Sequence, residues 1–203
     1  MELKGRIINF LGDSITEGAG TSSADKRYFE VLKRNHGLKA VNGYGIGGTR
    51  IARQQVKSEN DLWDKYFASR IDEMGEADAV VVFGGTNDYG HGDAPIGIFS
   101  DRTPDTFYGA CHDLFIKLIE KYKGTPIIVM TPLHRWGENE IHIKSGKETT
   151  LLTYVNIIRE VAQYYSLPVC DLFKISGMQP NVPVLMEKFI VPLFVQRDLK
   201  VVA

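Results

Sequence analysis

The sequence has little cysteine and almost no net charge. Its 203 residues include two cysteines, Cys111 and Cys170, which form no CxxC pair. That count argues against a disulfide scaffold and against a cysteine metal site. Both cysteines lie among apolar residues, so they are predicted to be buried, reduced thiols. The net charge of -1 gives no electrostatic reason to bind nucleic acid or an anionic membrane surface.

Long hydrophobic runs are missing as well. No stretch of about 18 apolar residues is available to span a bilayer. Residues 1–6 lead into a short apolar run without the pattern of a secretory signal peptide, so a cytoplasmic location is predicted. Neither a G-x-G-x-x-G nor a Walker motif occurs, which leaves little support for a flavodoxin-like nucleotide binder.

What the chain does contain is a regular alternation of short apolar runs and amphipathic stretches. The runs are brief and often β-branched, as is typical of strands buried on both faces, and they occupy residues 7–11, 38–41, 79–83, 127–130 and 167–172. Helix candidates occupy residues 26–36, 56–73, 104–122 and 148–165. This order predicts an α/β protein, with a three-layer α/β/α sandwich around a flavodoxin-like parallel sheet of about five strands. All 203 residues are assigned to a single domain.

Small polar residues and glycines follow the first three predicted strands. Ligands of such sheets bind beyond the carboxyl ends of the strands. Ser14 follows the first strand in Gly-Asp-Ser, and its hydroxyl is a weak nucleophile unless a base activates it. Acyl transfer also needs donors for the developing oxyanion, and the Ser14 N–H, a glycine N–H of the second loop and the Asn87 amide are candidates. Gly-Asp-Ser alone is equally typical of a turn or a helix cap.

Together the three segments resemble the SGNH or GDSL hydrolase family. Residues 12–18 resemble its first block, in which Ser14 matches the nucleophile. Residues 44–50 resemble the second block, whose oxyanion glycine matches Gly48 best, although a slip of one residue would place it on Gly47.

The third block of the family resembles residues 84–88, in which Asn87 matches the oxyanion asparagine. The resemblance covers roughly residues 5 to 190 and implies the SGNH-hydrolase fold. It also implies ester hydrolysis through an acyl-enzyme, on a small-molecule or carbohydrate ester with a short acyl or O-acetyl group. Neither a metal nor an organic cofactor is implied.

The fourth block of the family, an Asp-x-x-His motif near the C-terminus, has no match here. Residues 170–178 resemble the approach to that motif, but no histidine follows His142. Without a base, Ser14 keeps its hydroxyl proton near neutral pH, and loss of a triad member typically costs on the order of 10⁴ to 10⁶ in rate. Three interpretations stay open: an esterase with an unexpected base, a non-catalytic binding protein, and a truncated or frame-shifted descendant of an active enzyme.

Two histidines follow the third and fourth strands and are candidates for the missing base. His91 and His134 are both close in sequence to strand ends, although a surface or substrate-side role is the commoner one. Arg50 and Arg135 are candidates for holding a substrate carboxylate or phosphate, with structural ion pairs as the alternative.

The remaining polar and aromatic residues near the strand ends have structural alternatives too. Asp13 and Asp88 are predicted to anchor loops through hydrogen bonds, since two carboxylates without histidine partners make a poor metal site. Trp136 and Tyr44 are candidates for stacking on a sugar ring, with packing as the alternative. The atypical apolar tail, residues 191–203, predicts self-association into a homo-oligomer.

Overall fold

The computed structural model describes residues 2–141 and 149–189. Its centre is a five-stranded sheet in the order β2-β1-β3-β4-β5, and every neighbouring pair is parallel. The strands are β1 (Ile7–Gly12), β2 (Ala40–Gly45), β3 (Ala79–Phe83), β4 (Ile127–Met130) and β5 (Val169–Cys170). This order is that of flavodoxin-like sheets, so the predicted α/β fold class is confirmed.

Helices cover both faces of the sheet. They are α1 (Ser14–Glu17), α2 (Tyr28–His36), α3 (Thr86–Gly90), α4 (Phe107–Lys121), α5 (Leu151–Tyr164), α6 (Leu172–Ile175) and α7 (Pro183–Phe189). On one face, Ile8 and Phe10 of β1 pack against Phe29 of α2. On the other face, β3 and β4 pack against α4 and α5. Alternate residues of a strand point to opposite faces, so two cores form and the structure has three layers.

The segment predicted as a helix over residues 56–73 has a different structure. It contains two 3₁₀ helices, Asp61–Asp64 and Phe67–Glu73, and no continuous α-helix. The Asn60 side chain accepts a hydrogen bond from the backbone N–H of Leu62 at 3.0 Å. Such local bonds from side chain to backbone compete with the α-helical pattern.

The second strand, β2, begins and ends later in the sequence than the strand predicted over residues 38–41, and it is longer. It runs through Asn42 and Gly43, where a loop was predicted. Asn42 donates to the buried side chain of Asn9 at 2.8 Å, and a Cβ atom at Gly43 would lie 2.7 Å from the Phe29 ring. Asn42 is therefore accommodated in β2 by its hydrogen bond, and Gly43 because it has no Cβ atom to clash with the Phe29 ring.

Smaller differences concern element ends. The helix predicted over 104–122 begins at Phe107, because the Thr106 side chain caps it by accepting from the Gly109 N–H. Cys111 is buried as predicted, whereas Cys170 is partly exposed, and both are free thiols. Residues 191–203, on which the predicted self-association depends, lie outside the described ranges. Within those ranges no helix has the length and hydrophobicity needed to cross a membrane.

Candidate active site

Ser14 is the first residue of α1, directly beyond the end of β1. The carboxylate of Asp13 caps this helix by accepting from the Ile15 N–H at 2.9 Å. At the other end, Gly18 has a φ of 105° and donates its N–H to the Ser14 carbonyl at 3.0 Å. This single capped turn fixes a half-buried serine at the carboxyl edge of the sheet.

The loop after β2 lies against Ser14. A Cβ atom at Gly47 would be 3.7 Å from the Ser14 Cβ. The Gly47 N–H donates to the Glu17 carboxylate at 3.0 Å, so this N–H is already engaged. Gly48 has a φ of 75°, in the left-handed region that favours glycine, and a Cβ atom there would lie 2.8 Å from Trp63.

Asn87 lies in α3, immediately after β3, and its side chain faces the same loop. Its Nδ2 donates to the Thr49 carbonyl at 2.9 Å. This bond uses one of the two amide hydrogens and orients the other. Ser14, Gly48 and Asn87 thus follow the ends of β1, β2 and β3, which are adjacent in the sheet.

A buried arginine beneath this edge has no counterpart in the sequence-based predictions. Arg70 is 2% exposed and donates to the Gly12 carbonyl at 3.1 Å, the Tyr44 carbonyl at 2.7 Å and the Thr49 hydroxyl at 3.2 Å. Burial lowers the pKa of Arg70 to about 10, so it remains charged at neutral pH. It connects the ends of β1 and β2 to the loop that contains Gly48.

Two buried carboxylates anchor the loops, as predicted. Asp88 accepts from the backbone N–H groups of Ile51 at 3.0 Å and Ala52 at 2.8 Å. Asp13 is 1% exposed, and burial, with a smaller contribution from the nearby Asp88 charge, raises its pKa to about 6. In the described part of the chain, no group of three or more acidic, histidine or cysteine side chains is arranged to hold a metal ion.

Asp13→Asn is expected to stabilise the protein more at pH 8 than at pH 4. The folded pKa of Asp13 lies above its unfolded value of 3.8, so its stabilising contribution is complete below that value and is lost as the pH rises through about 6. Asparagine keeps an oxygen for the Ile15 N–H and does not ionise. The difference should approach about 3 kcal/mol. Thermal unfolding of both proteins across this range measures it, and a pH-independent difference would argue against a buried, ionising Asp13.

Neither candidate histidine is hydrogen-bonded to Ser14. His91 Nδ1 lies 3.1 Å from Arg50 Nη2, and since arginine only donates, this nitrogen accepts. His134 Nδ1 lies 2.8 Å from the Glu138 carboxylate, and its ring packs against Phe173, just beyond β5, with centroids 3.8 Å apart. His134 is therefore held by Glu138 and Phe173. Among residues 2–141 and 149–189, no side chain hydrogen-bonds the Ser14 hydroxyl.

Three of the candidate substrate-binding residues have structural roles. Arg50 is 5% exposed and donates to the Trp63 carbonyl at 3.1 Å, and Arg135 donates to the Thr86 carbonyl at 3.2 Å, so both have structural contacts. The Tyr44 hydroxyl accepts from the Gly75 N–H at 2.9 Å, which supports packing over sugar stacking.

Trp136 is 51% exposed, and Trp63, which the sequence-based predictions did not single out, is 41% exposed. Neither indole is enclosed by the core.

Comparison with known proteins gives matches of family and fold. A model of the GDSL-like lipase/acylhydrolase family matches residues 10–186. A crystal structure of a protein from Lactobacillus plantarum is 26% identical, with a TM-score of 0.74 over 92% of this chain and 85% of that one.

Two more distant structures share the fold. The lipase/acylhydrolase from Enterococcus faecalis is 22% identical, with a TM-score of 0.57 over 86% of this chain and 80% of that one. A carbohydrate acetylesterase family member from Sinorhizobium meliloti is 18% identical, with a TM-score of 0.54 over 82% of each chain. No curated protein matches the sequence. The family match confirms the resemblance inferred from the three strand-end segments.

Proposed function

Because the chain belongs to the GDSL-like lipase/acylhydrolase family, we propose that it hydrolyses short-acyl carboxylic esters through an acyl-enzyme on Ser14. Carbohydrate O-acetyl groups are included in the proposed substrates. The family and the fold are those of ester hydrolases. The observation that supports the proposal most strongly is the placement of Ser14 beside the Gly48 loop and the Asn87 amide, at three adjacent strand ends.

In the proposed reaction, the Ser14 Oγ bonds to the ester carbonyl carbon. The carbonyl oxygen becomes an oxyanion that accepts hydrogen bonds from the Gly48 N–H and the Asn87 Nδ2. The bond from carbon to the alcohol oxygen then breaks, and the alcohol leaves with the proton that the serine gave up. Water attacks the acyl-enzyme, which releases the carboxylic acid and restores the Ser14 hydroxyl.

A carbohydrate ester is among the proposed substrates for two reasons. The carbohydrate acetylesterase family member from Sinorhizobium meliloti has the same fold. In addition, the exposed indole of Trp63 lies against Gly48 and suits the apolar face of a sugar ring.

A second candidate function is the binding of acylated ligands without turnover. It is favoured by the lack of a histidine bonded to Ser14 among the described residues, and by the absence of a histidine after His142 in the sequence. Turnover of an activated ester distinguishes the two candidate functions. Because p-nitrophenolate leaves without protonation, acylation of Ser14 by such an ester depends chiefly on the nucleophile and the oxyanion donors.

Asn87→Ala is expected to lower kcat for p-nitrophenyl acetate by on the order of 10²- to 10³-fold with little change in KM, since the lost donor acts on the transition state. Asn156→Ala serves as the control, because Asn156 is exposed on α5. Circular dichroism establishes that both variants are folded. Turnover by Asn87→Ala equal to that of the unmodified protein would refute the role proposed for this amide.

A further inference from the structure

An exposed indole lies directly against the proposed oxyanion glycine. A Cβ atom at Gly48 would be 2.8 Å from Trp63 Cδ1 and 3.0 Å from both Cγ and Nε1. The five-membered part of the indole therefore covers the Gly48 Cα. Trp63 nevertheless remains 41% exposed, so part of this residue is open to solvent beside the Gly48 loop.

The position of Trp63 is fixed from its backbone. Its N–H donates to the Asn60 carbonyl at 2.9 Å, and its carbonyl accepts from Arg50 at 3.1 Å. Arg50 is itself 5% exposed, so this second bond ties the short helix Asp61–Asp64 to the interior of the protein. With the backbone held, a flat ligand that stacks on the indole has only side-chain torsions of Trp63 left to restrict.

Charged side chains lie on the loop that this indole covers and near Trp63 in the sequence. The Glu17 carboxylate accepts from the Gly47 N–H at 3.0 Å. Asp61 and Lys57 form an ion pair at 3.0 Å, with side chains 81% and 76% exposed, respectively. An apolar ring face bordered by hydrogen-bonding groups suits a sugar, whose C–H face packs on the indole while its hydroxyls reach the polar groups. A long acyl chain would instead need a continuous apolar groove.

We propose that Trp63 is the platform for the sugar ring of an O-acetylated carbohydrate. This inference rests on the proposed function, because it places the acetyl carbonyl at Gly48 and the sugar immediately beside it on the indole. Trp63 then determines specificity for the alcohol part of the ester, while Ser14, Gly48 and Asn87 act on the acyl group.

A fluorescence titration tests the platform without requiring turnover. The sequence has two tryptophans, so Trp63 is the sole indole in a Ser14→Ala, Trp136→Phe protein. Adding an O-acetylated methyl glucopyranoside should change its emission saturably, and adding ethyl acetate should not. No change with the sugar ester, or the same change with both esters, would overturn the proposal.

A kinetic comparison tests specificity. Trp63→Ala should lower kcat/KM for the acetylated glucopyranoside relative to that for ethyl acetate by about tenfold, and Trp63→Phe should retain most of the preference. Trp136→Ala is the matched comparison, because Trp136 is the other exposed indole. The proposal is overturned if this ratio falls in Trp136→Ala instead, or if Trp63→Ala leaves it unchanged. If neither ester is hydrolysed, the proposed function fails while the titration still decides the role of Trp63.

Discussion

Ser14→Ala is expected to lower turnover of p-nitrophenyl acetate by about a hundredfold or more. The substitution removes the oxygen that would carry the acyl group and leaves the surrounding fold unchanged, because the Asp13 cap of α1 is made to the backbone N–H of Ile15. Gly48 and Asn87 remain in place in this variant, so any remaining turnover measures direct attack by water in the same oxyanion site. The measurement is initial-rate spectrophotometry on purified proteins at equal concentration.

Ser100→Ala provides the matched control for this loss. Ser100 is exposed in the loop between α3 and α4, next to Phe99, whose ring packs on His112 and Tyr164. Its turnover should equal that of the unmodified protein. Equal turnover by Ser14→Ala and Ser100→Ala would contradict the acyl-enzyme mechanism and favour the binding function.

Arg70→Met is expected to destabilise the protein by about 3 to 5 kcal/mol, because it leaves buried acceptors without their donor. The Gly12 and Tyr44 carbonyls both lose a hydrogen bond, and so does the Thr49 hydroxyl. For a protein of this size the loss corresponds to a fall in Tm on the order of 10 °C. Turnover should fall as well, since Arg70 ties the Gly48 loop to the strands, and thermal unfolding together with the ester assay measures both effects.

Arg6→Met is the appropriate comparison for this substitution. Arg6 pairs with Asp78 at the surface, where its side chain is 48% exposed, and such pairs contribute about 1 kcal/mol or less. A Tm of Arg70→Met within about 2 °C of that of Arg6→Met would refute the structural role assigned to the buried guanidinium.

The strand ends were the most predictable part of this molecule. Each of the segments that contain Ser14, Gly48 and Asn87 is contiguous in sequence and follows a short apolar strand, and parallel strands bring such segments together at one edge. The strands over residues 79–83 and 127–130 were predicted with correct bounds, because they are apolar throughout and bordered by polar residues, glycine or proline.

Contacts between distant segments could not be predicted in the same way. Arg70 lies 26 positions from Tyr44 and 58 from Gly12, and nothing in its neighbouring residues indicates these bonds. The bond that engages the Gly47 N–H, and so supports the proposal of Gly48 as the oxyanion donor, comes from Glu17, which is 30 positions away. Trp63 lies in a segment that was predicted as a continuous helix. Its contact with Gly48 could be recognised only in the three-dimensional structure.

The nucleophile itself is tested most directly by covalent trapping. A fluorophosphonate reacts with an accessible, activated serine and leaves a phosphonyl group on its oxygen, which mass spectrometry of the digested protein locates. We expect one adduct, on the peptide that contains Ser14, present in Ser100→Ala and absent from Ser14→Ala. An unlabelled protein, or an adduct on any other residue, would contradict the assignment of Ser14.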